Sequence, residues 1–141
     1  MIVNIKKLSD DAIIPSYAHA TDAGMDLTTT GVEYKDGNFI YHTDLAFEVP
    51  EGYVMLLFPR SSNRKTEAYL TNSVGVIDSG YRGEVMVTFK SRDREIIIPP
   101  YNVGDRIAQV IILPYPKITF NEVEELSDSD RGTGGHGSTG K

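Results

Sequence analysis

The stretch TNSVGVIDSGYRGE, residues 71–84, is where we expect the fold to bring reactive groups together. Apolar runs at 74–77 and 85–89 lie on either side of its turn, and the second run alternates apolar and polar residues as a half-buried strand does. Together they predict the two arms of a β-hairpin. The connection would hold the carboxylate of Asp78 and the ring of Tyr81 on a rigid support. By itself this is weak evidence of a site, because an aspartate in a turn commonly bonds its own backbone.

The composition of the chain limits its size and its partners. With 141 residues, of which 40% are hydrophobic, it can form one domain with a modest core. Its net charge of −6 argues against a broad surface for DNA, RNA or anionic lipid. We therefore expect no nucleic-acid or membrane partner, and any anionic ligand must be bound by a local cluster of donors.

Several kinds of site and targeting signal are missing from the sequence. It has no cysteine, so it offers neither a disulfide nor a thiolate for a metal. Its histidines, at positions 19, 42 and 136, are too scattered for a zinc site. No segment approaches the ~20 apolar residues of a membrane span, and the N-terminus does not resemble a signal peptide. These features predict a soluble, cytoplasmic protein.

Short apolar runs separated by turn residues predict an all-β fold. Besides the two already described, the runs lie at 2–5, 25–29, 39–41, 45–49, 53–58, 95–98, 107–113 and 117–123. No segment keeps a 3.6-residue period, so the pattern is typical of a single-domain β-sandwich or barrel. One helical turn is expected over residues 63–66, with Ser61 or Ser62 as its cap.

The C-terminal segment 127–141, SDSDRGTGGHGSTGK, differs in kind from the rest. It has five glycines in fifteen positions and no aliphatic residue, so we expect a flexible tail that adds nothing to the core. Such a composition is also common in tails without a function. Against that alternative, Arg131, the hydroxyls of Ser138 and Thr139 and the glycine amides together can cradle a phosphate.

Other short clusters also suit a polyphosphate ligand. Arg60, Ser61 and Ser62 offer a guanidinium, two hydroxyls and backbone amides, all of which bind phosphate oxygens. Asp22 and Asp26 are close enough to hold a hydrated divalent cation, although aspartates in such places often only form turns.

Two amide side chains are further candidates for contacts with a ligand. Gln109 lies within the run IAQVIIL and needs a partner, which can be a ligand or simply a neighbouring strand. Asn72 can donate and accept at once, as recognition of a base edge requires, or it can merely end a strand.

These residues fall into five motifs that together resemble one known family. The motifs are DAGMDL at 22–27, PRSS at 59–62, NSVGVIDSGYRGE at 72–84, GDRIAQ at 104–109 and RGTGGHGSTG at 131–140. In this order, over nearly the full length, they resemble the trimeric deoxyuridine triphosphate nucleotidohydrolases, or dUTPases. The resemblance implies a distorted, jelly-roll-like β-sandwich, the β-clip, and hydrolysis of dUTP to dUMP and pyrophosphate.

The resemblance also implies a role for each residue of the third motif. Asp78 is similar to the general base that activates the water attacking the α-phosphorus. Tyr81 is similar to the ring that packs under the deoxyribose and leaves no space for a 2′-hydroxyl. The residues that would contact the uracil are Asn72, Val76, Ile77 and Met86.

The remaining motifs would bind the phosphates and a metal. The inner phosphate contacts would come from Arg60, Ser61, Ser62 and Gln109. The outer contacts would come from Arg131, Gly137, Ser138 and Thr139 of the tail. Asp26 would hold Mg²⁺ through water, the ion itself resting mostly on phosphate oxygens. Arg106 also matches the family pattern, but we expect a structural pairing with a carboxylate such as Asp105 or Asp130.

In this family three subunits associate and share their active sites. The resemblance therefore implies that residues 1–126 form the β domain. The tail, residues 127–141, would close over a site that two neighbouring subunits build.

The motifs depart from the family pattern at two positions. His136 stands where a phenylalanine usually stacks on the uracil; an imidazole can also stack, and it gains a proton in mildly acidic solution. Ser62 replaces the glycine usual after the arginine–serine pair, so its backbone contact to phosphate is less well supported.

Two alternatives to a dUTPase follow from the same resemblance. A dCTP deaminase relative shares the fold but needs a catalytic glutamate, and Glu84, the nearest one, is better interpreted as the start of a strand. The other alternative is a protein of a different class, because some phage members of the family bind regulatory proteins, and this chain would then have such a partner besides or instead of catalysis.

Overall fold

The computed structural model describes residues 1–93, 95 and 97–137. Within them the chain forms ten strands and one short 3₁₀ helix, Ser61–Lys65. The strands are β1 (Asn4–Lys7), β2 (Met25–Thr28), β3 (Gly31–Lys35), β4 (Asn38–His42), β5 (Leu45–Glu48), β6 (Tyr53–Pro59), β7 (Ala68–Leu70), β8 (Gly75–Ile77), β9 (Val87–Ser91) and β10 (Arg106–Pro114).

The strands pair into three antiparallel sheets. One four-stranded sheet has the order β2-β10-β6-β8, the other the order β3-β4-β9-β7, and β1 pairs with β5. The expectation of an all-β sandwich is confirmed. In the described residues no helix is long and apolar enough to cross a membrane.

The core lies between the sheets and is built from alternating side chains. The fully buried large residues include Leu27, Phe39, Tyr41, Leu45, Met55, Val87, Phe89, Ile107 and Val110. On β9 the predicted alternation is confirmed, since Val87 and Phe89 are buried and Thr88 and Lys90 are only partly so. The period of two along each strand therefore assigns one face to the core.

An aromatic cluster ties the core to the 3₁₀ helix. Tyr41 and Tyr101 pack edge to face at 6.0 Å, and the Tyr41 hydroxyl donates to the Tyr101 carbonyl. Burial raises the pKa of Tyr41 to about 12. The Tyr101 hydroxyl in turn donates to Asn63 Oδ1 at 2.9 Å. These contacts give the segment that follows Arg60 a buried anchor.

The expected helical turn is present, but its cap is not the predicted one. Arg60 occupies the N-cap position in an extended conformation, and no side chain caps the helix. Ser61 and Ser62 lie inside the helix, which begins two residues earlier than expected. Both hydroxyls are therefore free of the capping role that we assigned to them.

The predicted β-hairpin is wrong. Residues 75–77 form β8, which pairs with β6, whereas residues 87–91 form β9, which pairs with β4 and β7 in the other sheet. Residues 78–86 cross from one sheet to the other. Two apolar runs next to a turn predict a hairpin from the local sequence, but each of these runs pairs with other strands elsewhere in the chain.

Other strand predictions fail at exposed positions. Residues 117–123 are not in a strand, and Ile118 and Phe120 are 68% and 88% exposed, because no strand in the described part of the chain pairs with them. Of the run 95–98, the described residues 95, 97 and 98 also lie outside any strand. Strands β3 and β7 were not predicted: β3 (GVEYK) is mostly polar or exposed, and β7 (AYL) is only three residues long.

Candidate active site

A cavity of about 400 Å³ opens where β8 and β9 diverge into different sheets. Its walls are formed by Leu57, Leu70, Thr71, Asn72, Gly75, Val76, Ile77, Asp78, Tyr81, Glu84, Val85, Met86 and Thr88. All six candidate residues of the third motif and its flank, namely Asn72, Val76, Ile77, Asp78, Tyr81 and Met86, are among them. The buried lining residues Leu57, Leu70, Gly75 and Val85 are apolar, and both polar and apolar side chains are exposed at the opening.

Asp78 stands on a tight turn at the rim of this cavity. The Tyr81 amide donates to the Asp78 carbonyl at 3.1 Å, which closes the turn. Asp78 is exposed, and its carboxylate has no hydrogen-bond partner among the described residues. It is therefore available to a water molecule, and it does not bond its own turn as an ordinary turn aspartate would.

The ring of Tyr81 is held in place from two sides. Its hydroxyl donates to the Glu84 carbonyl at 3.0 Å. A Cβ built on Gly83 would lie only 2.6 Å from the Tyr81 Cζ, so the ring rests directly on the glycine backbone. A side chain at position 83 would therefore have to displace the outer part of the Tyr81 ring, which glycine avoids.

Glu84 has a structural role in this fold. Its Oε1 accepts from the amides of Thr43 and Asp44 at 3.0 and 2.9 Å, and its Oε2 lies 3.1 Å from His42 Nδ1. Asp44 has a φ of 52°, so the carboxylate stabilises a strained turn before β5. With both oxygens engaged, Glu84 is poorly placed to act as the acid–base group of a deaminase.

A second cluster of polar side chains lies at the other end of the β2-β10-β6-β8 sheet. Asp26 Oδ1 accepts from Arg60 Nε at 2.8 Å, and Asp26 Oδ2 accepts from Arg106 Nη1 at 3.2 Å. Arg60 Nη1 also donates to the Ser62 hydroxyl and to the Arg106 carbonyl. We call Asp26, Arg60, Arg106 and Gln109 the arginine cluster.

The predicted partner of Arg106 is wrong. Arg106 pairs with Asp26, while Asp105 accepts from the Asn102 amide instead. The predicted structural pairing with a carboxylate is real, but strand β10 brings Arg106 next to β2 through the register between Arg106 and Thr28. That register is not visible in the local sequence.

Gln109 is held by the backbone of two neighbouring strands. Its Nε2 donates to the Pro59 carbonyl at 3.1 Å, and it stands opposite Asp26 on β2. A Cβ on Gly24 would lie 2.8 Å from Gln109 Oε1. The glycine of the DAGMDL motif thus leaves space for this amide, which still has acceptor capacity for a ligand or a water.

The side chains of this cluster suit a Mg²⁺ ion held through its water molecules better than one that side chains bind directly. Among the described residues there is no group of three or more His, Cys, Asp or Glu side chains that could hold a metal. Each oxygen of Asp26 accepts one arginine N–H, and a carboxylate has acceptor sites beyond these two. Asp26 can therefore accept from metal-bound water without leaving the arginines.

The cavity and the arginine cluster are far apart within one chain. The β6–β8 register pairs Met55 with Ile77, so Asp78 falls opposite Val54, six residues before Arg60. At about 3.3 Å per residue these six residues span about 20 Å. One chain therefore does not bring Asp78 and the arginine cluster together in a single site.

The described part of the tail does not cover either group. Hydrogen bonds within residues 127–137 are local, such as Arg131 Nε to the Gly134 carbonyl at 2.9 Å. His136 is exposed, and Gly137 has a φ of 76°, a conformation that favours glycine. Ser138 and Thr139 lie outside the described residues. The structure thus does not bring Arg131, His136 or Gly137 together with the other candidate residues of the same chain.

Comparison with known proteins agrees with this arrangement of motifs. The family model described as dUTPase matches residues 10–140. The deoxyuridine 5′-triphosphate nucleotidohydrolase of Nautilia profundicola is 42% identical over 144 aligned residues, which cover 100% of both chains. The protein of the same name from Thermobifida fusca is 40% identical over 98% of this chain and 78% of its own.

Solved structures of phage proteins share the fold. A mutant dUTPase of Staphylococcus bacteriophage 80alpha with dUpNHpp superposes with a TM-score of 0.84 at 31% identity and covers 99% of both chains. A mutant dUTPase of phage phi11 of S. aureus, described as showing the coordination of a structural Mg(II) ion, gives a TM-score of 0.73 at 30% identity. It covers 89% of this chain and 98% of its own.

Proposed function

Since the chain belongs to the dUTPase family and is therefore a dUTP nucleotidohydrolase, we propose that Asp78 activates the attacking water in its hydrolysis of dUTP to dUMP and pyrophosphate. The observation that carries the proposal is the Asp78 carboxylate, which has no hydrogen-bond partner among the described residues, at the rim of a cavity of about 400 Å³ beside the ring of Tyr81. A general base must reach its proton within a hydrogen-bond distance, and no described side chain competes for this carboxylate.

The proposed chemical step needs one base and an in-line water. Asp78 takes a proton from the water molecule while the oxygen of that water forms a bond to the α-phosphorus. The bond from the α-phosphorus to the oxygen that bridges it to the β-phosphorus breaks, and pyrophosphate leaves with that oxygen. Strand β8 and the Tyr81–Asp78 backbone hydrogen bond support the carboxylate on the side from which this attack would come.

The cavity would select the nucleoside. Asn72 supplies a donor and an acceptor for the uracil edge, while Val76, Ile77 and Met86 form apolar walls. Packing is tight at the floor, where a Cβ on Gly75 would lie 3.1 Å from Leu57 Cβ. A wall that cannot yield would reject the methyl group of thymine, because close-packed strands resist displacement.

The arginine cluster would bind the inner phosphates. Arg60 Nε and Nη1 are held by Asp26, Ser62 and the Arg106 carbonyl, which leaves Nη2 without a partner among the described residues. A guanidinium fixed in this way can donate to a phosphate oxygen without first losing rotamer freedom. The exposed Ser61, the partly buried Ser62 and the amide of Gln109 would complete these contacts.

We include Mg²⁺ as the cofactor, with Asp26 accepting from its water molecules. When bound, the ion would neutralise charge on the phosphates as the pyrophosphate leaves. Asp26 would orient that water, and the two arginines would keep the carboxylate itself in place.

We also propose a homotrimer with shared sites, because the separation of about 20 Å between Asp78 and Arg60 must be bridged by different subunits. Exposed Ile118 and Phe120 give each chain apolar surface for such contacts. The tail of a further subunit, residues 127–141, would close over the site, with Arg131, Gly137, Ser138 and Thr139 on the outer phosphates.

Complementation between two inactive variants tests the shared site. We expect Asp78→Asn and Arg60→Ala to be inactive alone, whereas their co-expressed mixture regains activity in about a quarter of its sites. Light scattering of the purified protein measures the trimer directly. A stable monomer, or a mixture as inactive as its parents, would contradict sharing of these two residues between subunits.

A substrate panel separates the candidate functions. We expect pyrophosphate release from dUTP and little from dATP, dCTP, dGTP and dTTP. Ammonia release from dCTP would indicate the deaminase alternative instead. If the chain binds a regulatory protein in place of catalysis, as the phage alternative holds, none of the five nucleotides would be hydrolysed.

We propose that His136 takes the stacking position over the uracil when the tail closes. We expect His136→Phe to keep the KM for dUTP within about threefold of wild type, because a phenylalanine ring can stack in the same position. A much larger change of KM in this variant would contradict the stacking role.

A further inference from the structure

Arg82 folds its guanidinium back onto the turn that carries Asp78. Its Nη1 donates to the Ser79 carbonyl at 2.6 Å and to the Tyr81 carbonyl at 3.0 Å. Its Nη2 lies 3.4 Å from Glu48 Oε1 at the end of β5. One side chain therefore joins two carbonyls of the turn to the neighbouring two-stranded sheet.

The turn between Asp78 and Tyr81 needs such a restraint because it contains Gly80. The φ of Gly80 is not positive, and a Cβ built there meets no atom within 4 Å. Neither backbone conformation nor packing therefore requires glycine at this position. Glycine is the most flexible residue, so it widens the range of conformations open to the turn between Asp78 and Tyr81.

We propose that Arg82 is a positioning residue for the hydrolysis: it restrains the turn so that the Asp78 carboxylate keeps its direction toward the attacking water. This inference rests on the proposed role of Asp78. Arg82 does not line the nucleotide cavity; it borders a separate groove with Ser79 and Gly80. Its loss should thus affect the chemical step and leave nucleotide affinity nearly unchanged.

The glutamate partner contributes less to this restraint than the two carbonyls do. Arg82 and Glu48 are both more than half exposed, so solvent weakens their ion pair. The carbonyl bonds are shorter and act on the turn itself. We therefore expect Glu48→Gln to change kcat less than twofold.

The test compares kcat and KM in Arg82→Gln and in a matched control. In Arg82→Gln we expect kcat for dUTP to fall about tenfold with KM within about twofold, because small misplacements of a catalytic group slow the chemistry. Binding of a dUTP analogue with an imido bridge should stay unchanged. Arg92→Gln removes an exposed arginine whose side chain makes no hydrogen bond or ion pair among the described residues, and it should keep the wild-type kcat.

A second substitution in the same turn distinguishes positioning from general stability. Adding Gly80→Ala to Arg82→Gln restricts the turn by another route and should restore part of the lost kcat. Arg82→Lys keeps the charge but cannot bond two carbonyls in the same geometry, so its kcat should lie between wild type and Arg82→Gln. If Arg82→Gln unfolds, the lysine variant carries the same comparison.

The outcomes separate this inference from the proposed function. Full kcat in both Arg82→Gln and Arg82→Lys would overturn the positioning role while leaving dUTP hydrolysis intact. A loss of kcat that follows a lowered Tm, with no recovery by Gly80→Ala, would also overturn it. Absence of dUTP hydrolysis by the wild-type protein would instead contradict the proposed function itself.

Discussion

Asp78→Asn should abolish dUTP hydrolysis while nucleotide binding persists. The amide keeps the size of the carboxylate but cannot take a proton from water, and loss of a general base typically costs about 10²–10⁴-fold in rate. Because Asp78 is exposed and makes no side-chain hydrogen bond among the described residues, the change should leave the free energy of unfolding within about 0.5 kcal/mol of wild type. Pyrophosphate release measures kcat, and calorimetry with an imido analogue of dUTP measures affinity.

The matched control for this prediction is Asp36→Asn. Asp36 also stands in an exposed turn, between β3 and β4, and its φ of 50° is one that asparagine adopts readily. The control should keep full turnover. Wild-type kcat in Asp78→Asn would remove the central role of this carboxylate, and loss of analogue binding would show that its main effect is on the substrate's ground state.

Gly83→Ala should have the second-largest effect, because it displaces the ring of Tyr81. The added Cβ would lie 2.6 Å from Tyr81 Cζ, so the ring must move and give up its hydrogen bond to the Glu84 carbonyl. We expect kcat/KM for dUTP to fall about ten- to a hundredfold, since a shift of about 1 Å in a positioning group has effects of that size. Discrimination against UTP should fall as well, because the ring would no longer exclude a 2′-hydroxyl.

The control for the glycine variant is Gly31→Ala in β3. There the nearest atom to the new Cβ is His42 Cβ at 3.9 Å, which is an ordinary contact. Kinetics with dUTP and UTP on both variants separate a local effect on the site from a general cost of replacing glycine. Unchanged selectivity in Gly83→Ala would mean that the pocket rejects UTP without the fixed position of Tyr81.

The site was predicted most completely where its residues are close in sequence. Asp78, Tyr81, Asn72 and Met86 lie within fifteen positions and line one cavity, as expected. The order of the motifs supported this prediction. Reactive residues that lie close together on the segment that crosses between the sheets stay near each other in any fold. The assignment of each residue to a substrate atom remains a proposal.

The contacts of the arginine cluster were beyond reach of the sequence. Asp26 and Arg106 are 80 positions apart, and their pairing depends on β10 lying next to β2. The structural role of Glu84, which holds the turn at Thr43 and Asp44, depends likewise on β5 approaching the crossing segment. The sequence shows the chemical type of a charged residue but not the distant residue with which it forms an ion pair or hydrogen bond.

Composition and short-range pattern alone determined that this chain is an all-β protein and which runs alternate, and they marked the side chains that are candidates for a site. Only the tertiary structure decided that β8 and β9 enter different sheets and leave a cavity between them. The physical reason is that a period of two selects the face of a strand but not its neighbour. Neighbours are chosen by competition among all strand edges of the folded chain.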